Sequence, residues 1–166
     1  MVLNMLLFVG TVLAMEWVAW FSHKYIMHGW GWAWHKSHHR PRDGWFELND
    51  LYGVVGAAIS ITLIFFGRED LGPTWWIGWG MAGYGFIYFV FHDGLVHRRW
   101  PFKWNPKSGY IKRLIQAHKI HHAGHGKHDC VSYGFLYARP LPELKAEFQQ
   151  LRAAQSSGEA SRNAAS

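Results

Sequence analysis

Residues 1–21 read MVLNMLLFVGTVLAMEWVAWF, a run of 21 residues with one charge, Glu16. A helix needs about 20 apolar residues to cross a bilayer, with roughly 17–25 the usual range. Two further runs follow. Residues 51–66 are 16 residues without a charge, flanked by Asn49, Asp50 and Gly67, and residues 74–91 are 18 residues without a charge. Three such blocks in the first 91 residues exclude an ordinary soluble domain, although the mean hydropathy of the whole chain is only −0.12. That average mixes apolar blocks with histidine-rich and basic ones. The reading is all-α: a polytopic membrane helical bundle with three crossings, or four if residues 131–141 re-enter. Val131–Tyr137 is too short to cross and is expected to pack at the interface. The first block lacks a basic n-region and a small-x-small cleavage site, so it reads as a retained anchor.

The 17 Lys and Arg outnumber the 11 Asp and Glu, and their placement orients the bundle. Arg68 alone lies between the second and third blocks; the other sixteen fall in 22–50 or 92–166. The positive-inside rule puts those two segments in the cytoplasm. The single cysteine, Cys130, excludes an intrachain disulfide and any cysteine-based zinc or iron–sulfur site. Residues 1–152 read as one membrane-embedded domain. Residues 153–166, rich in Ala and Ser without a periodic apolar face, read as a disordered tail.

The twelve histidines carry the chemistry. His23 and His28 form an HxxxxH box, and His35, His38 and His39 an HxxHH box. His92 and His97 repeat the first spacing, and His118, His121 and His122 repeat the second. A scrambled chain of this composition would hold about 0.05 copies of HxxHH, against the two present. Positions i, i+3 and i+4 share one face of a helix, so each HxxHH box can converge on one point; the HxxxxH pairs are less neatly aligned. The orientation, deduced without any histidine, places all four boxes on the cytoplasmic side. Ten imidazoles exceed what one ion can take and point to a two-metal centre. Nitrogen ligands suit Fe, Zn, Cu or Ni. His125 and His128 lie in a loop-like Gly-His-Gly-Lys-His-Asp stretch and read as solvated.

Glu16 lies inside the first block, seven positions before His23, and an intramembrane carboxylate needs a partner. It reads equally as the group that orients a ligand histidine or as a hydrogen bond to another helix. Asp93 and Asp129 are weaker candidates for the first role. The glycines of 77–86 alternate with bulky residues, and read more readily as close helix packing than as a slot for a rigid ligand.

These four boxes on a small multispanning chain resemble the membrane fatty-acid hydroxylase superfamily. With the trailing Cys130-Val-Ser-Tyr-Gly-Phe-Leu-Tyr-Ala segment, they are most similar to its bacterial carotenoid β-ring hydroxylases, over about residues 10–140. The resemblance implies a non-haem di-iron centre held by His23, His28, His35, His38, His39, His92, His97, His118, His121 and His122. It implies O2 as co-substrate and electrons from a reduced ferredoxin-type donor. The implied reaction hydroxylates carbon 3 of each β-ionone ring, taking β-carotene through β-cryptoxanthin to zeaxanthin, with the carotenoid entering from the bilayer. The expected setting is the bacterial inner membrane, with lipid and no nucleic acid as partner. His-rich sites also accept zinc. Arg98, Arg99, Lys103, Lys107, Lys112 and Arg113 could dock an acidic electron carrier or orient the chain beside anionic lipid.

Other readings stay open on the residues alone. A carotenoid ketolase, or a sterol or fatty-acyl hydroxylase or desaturase, shares the boxes. A zinc hydrolase needs the same ligands and an open position. A metal transporter or sensor predicts ionisable groups along the crossings, where only Glu16 is found.

Overall fold

The computed structural model describes residues 1–41, 44–101 and 104–164, and over 158–164 the backbone alone. Among the described residues six α-helices follow one another: α1 (Val2–Phe21), α2 (Trp32–His35), α3 (Asp50–Gly67), α4 (Pro73–Tyr88), α5 (Gly109–His122) and α6 (Leu141–Ala164). Two π-helical segments extend them, Ser22–Trp30 running on from α1 and Phe89–Val96 from α4. There is no strand among the described residues.

The α4 helix packs between α1 and α3. Its glycines set the closeness. A Cβ on Gly80 would stand 2.6 Å from Thr11 Cβ and 2.9 Å from Phe8 O, and one on Gly78 would stand 2.8 Å from Ile64 Cγ1. Close packing is thus the role of these two glycines. Ser60 on α3 donates to Gly78 O at 2.8 Å, and Gly67 faces Trp75, so α3 and α4 run antiparallel. Phe8 and Thr11 meet residues 80–83, and Glu16 meets Tyr84, so α1 and α4 run parallel. The ends of α1 and α4 that carry His23 and His92 therefore lie at one end of the bundle, with the start of α3. The turn 68–72 lies at the other.

The outer faces are apolar and exposed. Leu3, Leu6, Leu13 and Trp17 on α1, Val54, Ile61 and Phe66 on α3, and Trp79 and Phe86 on α4 are all uncovered. A helix apolar on every side and still exposed has lipid as its natural neighbour. Two helices are long and apolar enough to span a membrane, Val2–Trp30 and Asp50–Gly67. The stretch from Pro73 to Val96 is continuous helix, but its Trp, Tyr and Gly lower its hydropathy below theirs. Beyond the bundle, α5 and α6 enclose a small core of Leu114, Ala117, Val131, Ala138 and Leu144.

The α6 helix continues through Ala164, across most of the segment read from sequence as a disordered tail. Its first half is anchored where Leu144, Phe148 and Leu151 pack in the core, and Ala153, Ala154 and Gln155 are good helix formers that carry it on. Residues 165 and 166 lie outside the described residues.

Candidate metal centre

The structure brings all ten boxed histidines together. His23, His28, His35, His39 and His121 form one group; His38, His92, His97, His118 and His122 form the other. Each group takes both histidines of one HxxxxH box. It adds the i and i+4 positions of the HxxHH box that follows, and the i+3 position of the other HxxHH box. Neither HxxHH box converges on a single point, contrary to the simple helical expectation. His121 turns towards His28 at 3.2 Å, while His122 and His118 meet at 2.8 Å. His35 and His39 meet at 3.3 Å, while His38 meets His92 at 3.1 Å. The two groups are therefore laced through each other.

The HxxxxH spacing acquires its meaning from the π-helical segments. In an α-helix, residues five apart point about 140° from each other, at 100° per residue. A π-helix is wider, with i→i+5 hydrogen bonds and roughly 4.4 residues per turn, which brings them to within about 50°. His97 N donates to His92 O at 2.9 Å and Gly31 N to Ile26 O at 2.9 Å, both i→i+5 bonds. The ring centroids of His92 and His97 are then 4.4 Å apart, and those of His23 and His28 are 5.2 Å apart.

Seven rings are fixed from behind through Nδ1. His23 bonds Tyr133 O (2.8 Å), His28 Lys127 O (3.0 Å), His39 Gly124 O (3.0 Å) and His121 Val131 O (3.0 Å). His35 bonds Asn49 Oδ1 (2.7 Å), His38 Glu47 Oε2 (3.0 Å) and His92 Asp93 Oδ1 (2.8 Å). All seven partners are oxygen acceptors, so Nδ1 carries the hydrogen and Nε2 offers a lone pair. Those lone pairs then face each other: His23–His35 and His28–His35 at 3.1 Å, and His38–His92 at 3.1 Å. Two acceptors at that distance repel unless a cation lies between them. Metal–nitrogen bonds of about 2.0–2.1 Å at 90–109° put neighbouring nitrogens about 2.9–3.4 Å apart. The donor set fits a pair of metal ions.

Burial is the largest cause that holds His38, His118 and His121 well below the ordinary imidazole pKa, and neighbouring imidazoles add to it. Burial likewise takes His35 down to about 3 and His122 to about 2. At neutral pH these rings keep their lone pairs free.

Glu16 takes the second of the roles left open by the sequence, a hydrogen bond to another helix; it accepts from no histidine and acts on the site only through the segment it holds. Its Oε2 accepts from Tyr84 on α4 at 2.8 Å. Its Oε1 accepts from the backbone N–H groups of Phe135 (2.9 Å), Leu136 (2.9 Å) and Tyr137 (3.1 Å). The strap so held carries Tyr133 O, the acceptor of His23. Ser132, with φ of 64°, stands between the two carbonyls that receive His121 and His23. A left-handed backbone is unusual outside glycine and here reverses the chain beside the site.

Asp93 orients His92 and pairs with Arg99, which also holds Asp50 and Trp45 O. Asp129 instead accepts from the backbone of His125 and Gly126, shaping the loop whose carbonyls receive His39 and His28. The sequence left Glu47 unnoticed and read Asn49 only as a flank of the second apolar run, because short polar runs before a helix are common and nothing in their spacing pairs them with His38 and His35. Cys130 Sγ is buried within 4.8 Å of ligand atoms of His28, His39 and His121, and burial pushes its thiol up to about 12. His125 and His128 are exposed and belong to neither group. Arg99 is drawn inward and so leaves the basic surface expected to face a carrier; Lys103 lies outside the described residues.

The profile of the fatty acid hydroxylase family matches residues 8–138. The chain is 58% identical over 147 residues to a protein of Pantoea ananas named beta-carotene hydroxylase, covering 89% of this chain and 84% of that one. A beta-carotene hydroxylase of Paracoccus sp. is 52% identical, over 88% of this chain and 91% of its own length. The chloroplastic beta-carotene 3-hydroxylase of an Oncidium hybrid is 40% identical, over 82% of this chain and 46% of its own. No solved structure matches the chain.

Proposed function

The chain belongs to the fatty acid hydroxylase family, and from that premise we propose that it hydroxylates carbon 3 of both β-ionone rings of β-carotene, giving β-cryptoxanthin and then zeaxanthin. The observation that carries the reading is the pair of interlaced imidazole groups with inward Nε2 atoms, set at the end of an apolar bundle. Its substrate follows from the relatives named beta-carotene hydroxylase at 52–58% identity over nearly the whole chain.

Two non-haem iron ions are the proposed occupants, held by His23, His28, His35, His39 and His121 on one side and His38, His92, His97, His118 and His122 on the other. When bound, they would supply the one-electron chemistry that activates O2 for insertion into an unactivated C–H bond, with two electrons and two protons reducing the second oxygen atom to water. The protein's own part is positional. Asn49, Glu47, Asp93 and four backbone carbonyls lock ring orientation and tautomer, which sharpens metal affinity and geometry. Tyr88, Phe135 and the apolar side chains around them keep water from the bilayer-facing side of the rings. Arg98, Lys107, Lys112 and Arg113 remain as the basic surface for a reduced ferredoxin-type donor. The bundle crosses the bacterial inner membrane three times by this reading, with residues 73–96 as the third crossing and the histidines on the cytoplasmic side.

Expression in a bacterium that accumulates β-carotene tests the proposal. Liquid chromatography with mass detection should show mono- and dihydroxylated products co-eluting with β-cryptoxanthin and zeaxanthin. Unchanged β-carotene, with the protein in the membrane and iron supplied, would overturn it in favour of another lipid oxidase.

A further inference from the structure

One aromatic side chain reaches both histidine groups. The Phe135 ring lies parallel to that of His23, with centroids 5.0 Å apart and 15° between planes. It stands edge-on to His92 at 5.4 Å and to Tyr88 at 4.8 Å, and its centroid is 6.2 Å from that of His118. His23 belongs to the first group, and His92 and His118 to the second. Phe135 therefore covers the seam between the two groups, beside the ends of α1 and α4 that carry His23 and His92.

The space beside Phe135 on the side of the second group is small and apolar. A cavity of about 10 Å³ lies between the end of α4 and α5, lined by Tyr88, His92, Ile111, Leu114, His118 and Phe135 among others. That volume holds about one water molecule. A six-membered ring bearing methyl groups does not enter it while Phe135 stays in place. The strap carrying Phe135 is fixed by three backbone hydrogen bonds to Glu16. Its side chain is only partly buried and is held by ring packing alone, so no hydrogen bond of its own opposes a turn about χ1.

We propose that Phe135 is the gate of the metal centre: its ring occupies the place of the substrate's β-ionone ring, swings aside to admit that ring, and then forms the wall that presents carbon 3. The inference rests on the reading of function above. It predicts a side chain whose size governs admission and regiochemistry, while the histidines govern metal binding. Loss of a packing wall in an apolar site is worth about tenfold or more in discrimination.

The test compares wild type with Phe135→Ala, Phe135→Leu and Phe135→Trp in cells that accumulate β-carotene, with iron measured in each purified protein. A second readout needs no turnover: binding of β-carotene to the metal-stripped, micelle-held protein, followed by quenching of tryptophan fluorescence. Phe135→Ala and Phe135→Leu should keep their metal and hydroxylate, with products at carbons 2 and 4 raised about fivefold or more over wild type. Phe135→Trp should keep its metal, bind β-carotene about fivefold more weakly and turn over about tenfold more slowly. Wild-type products, rates and binding in all three variants would overturn the gate. So would loss of activity in step with loss of metal in both smaller variants, which marks a structural role. A wild type that leaves β-carotene unchanged would remove the function and the gate together; an active wild type with indifferent variants removes the gate alone.

Discussion

Replacing Glu16 with alanine tests the argument that an intramembrane carboxylate holds the strap beneath the site. The carboxylate accepts four hydrogen bonds, three from backbone N–H groups and one from Tyr84. Alanine leaves those donors without a partner in an apolar setting where water is scarce. Each buried donor left unsatisfied costs about 1–3 kcal/mol. Tyr137 is exposed and recovers part of its share from solvent, and the four losses overlap. The net cost is about 3–6 kcal/mol. For a chain of this size each kcal/mol moves the midpoint by roughly 2–4 °C, so Glu16→Ala should melt about 6–24 °C below wild type. Glu16→Gln keeps an oxygen where Oε1 stands and should lose about a third of that. The assay is thermal unfolding in detergent micelles, read by tryptophan fluorescence, with iron content measured in parallel. Because the strap carries Tyr133 O, the acceptor of His23, iron should fall in the alanine variant first. A midpoint for Glu16→Ala within about 2 °C of wild type would refute the reasoning. Equal damage from Glu16→Gln would show that charge, not the pattern of accepted bonds, holds the strap.

His121→Ala, which removes a fully buried member of the first group, should abolish hydroxylation, while His125→Ala, at an exposed loop position, should leave most of it. Equal loss in both at equal protein level would dissolve the division between them. Metal retention should be complete above pH 7 and decline as the pH falls from 6.5 towards 3, the span between the ordinary imidazole and His35. The sign follows because the folded rings hold fewer protons than unfolded ones, and protons compete with metal for the same Nε2. Dialysis at stepped pH with metal analysis checks it, and undiminished retention at pH 3 would contradict it. Gly80→Ala should destabilise by about 1–3 kcal/mol, since its Cβ meets Thr11 and the Phe8 carbonyl. Gly85→Ala, with nothing within 4 Å, should stabilise by up to about 1 kcal/mol; thermal midpoints of the pair decide.

Much of this molecule is written along the chain. Runs of 16 to 21 residues with at most one charge announce helices because a backbone in lipid must satisfy its own hydrogen bonds. The doubled order of HxxxxH and HxxHH boxes points to a two-metal centre, since ten imidazoles exceed what one ion takes. The division of ligands was not legible. Helical periodicity groups His118, His121 and His122, yet packing sends His121 to one group and its two neighbours to the other. The HxxxxH pairs made sense only once the backbone widened into π-helix over Ser22–Trp30 and Phe89–Val96, which the spacing alone does not announce. Glu47, Asn49 and the carbonyls of Gly124, Lys127, Val131 and Tyr133 orient the rings from up to 110 residues away. Composition and spacing act locally and so determined the elements and the chemistry they carry. Which lone pairs meet across two interlaced boxes, and that Glu16 fastens Phe135 over them, depended on contacts between distant segments, which only the folded chain supplies.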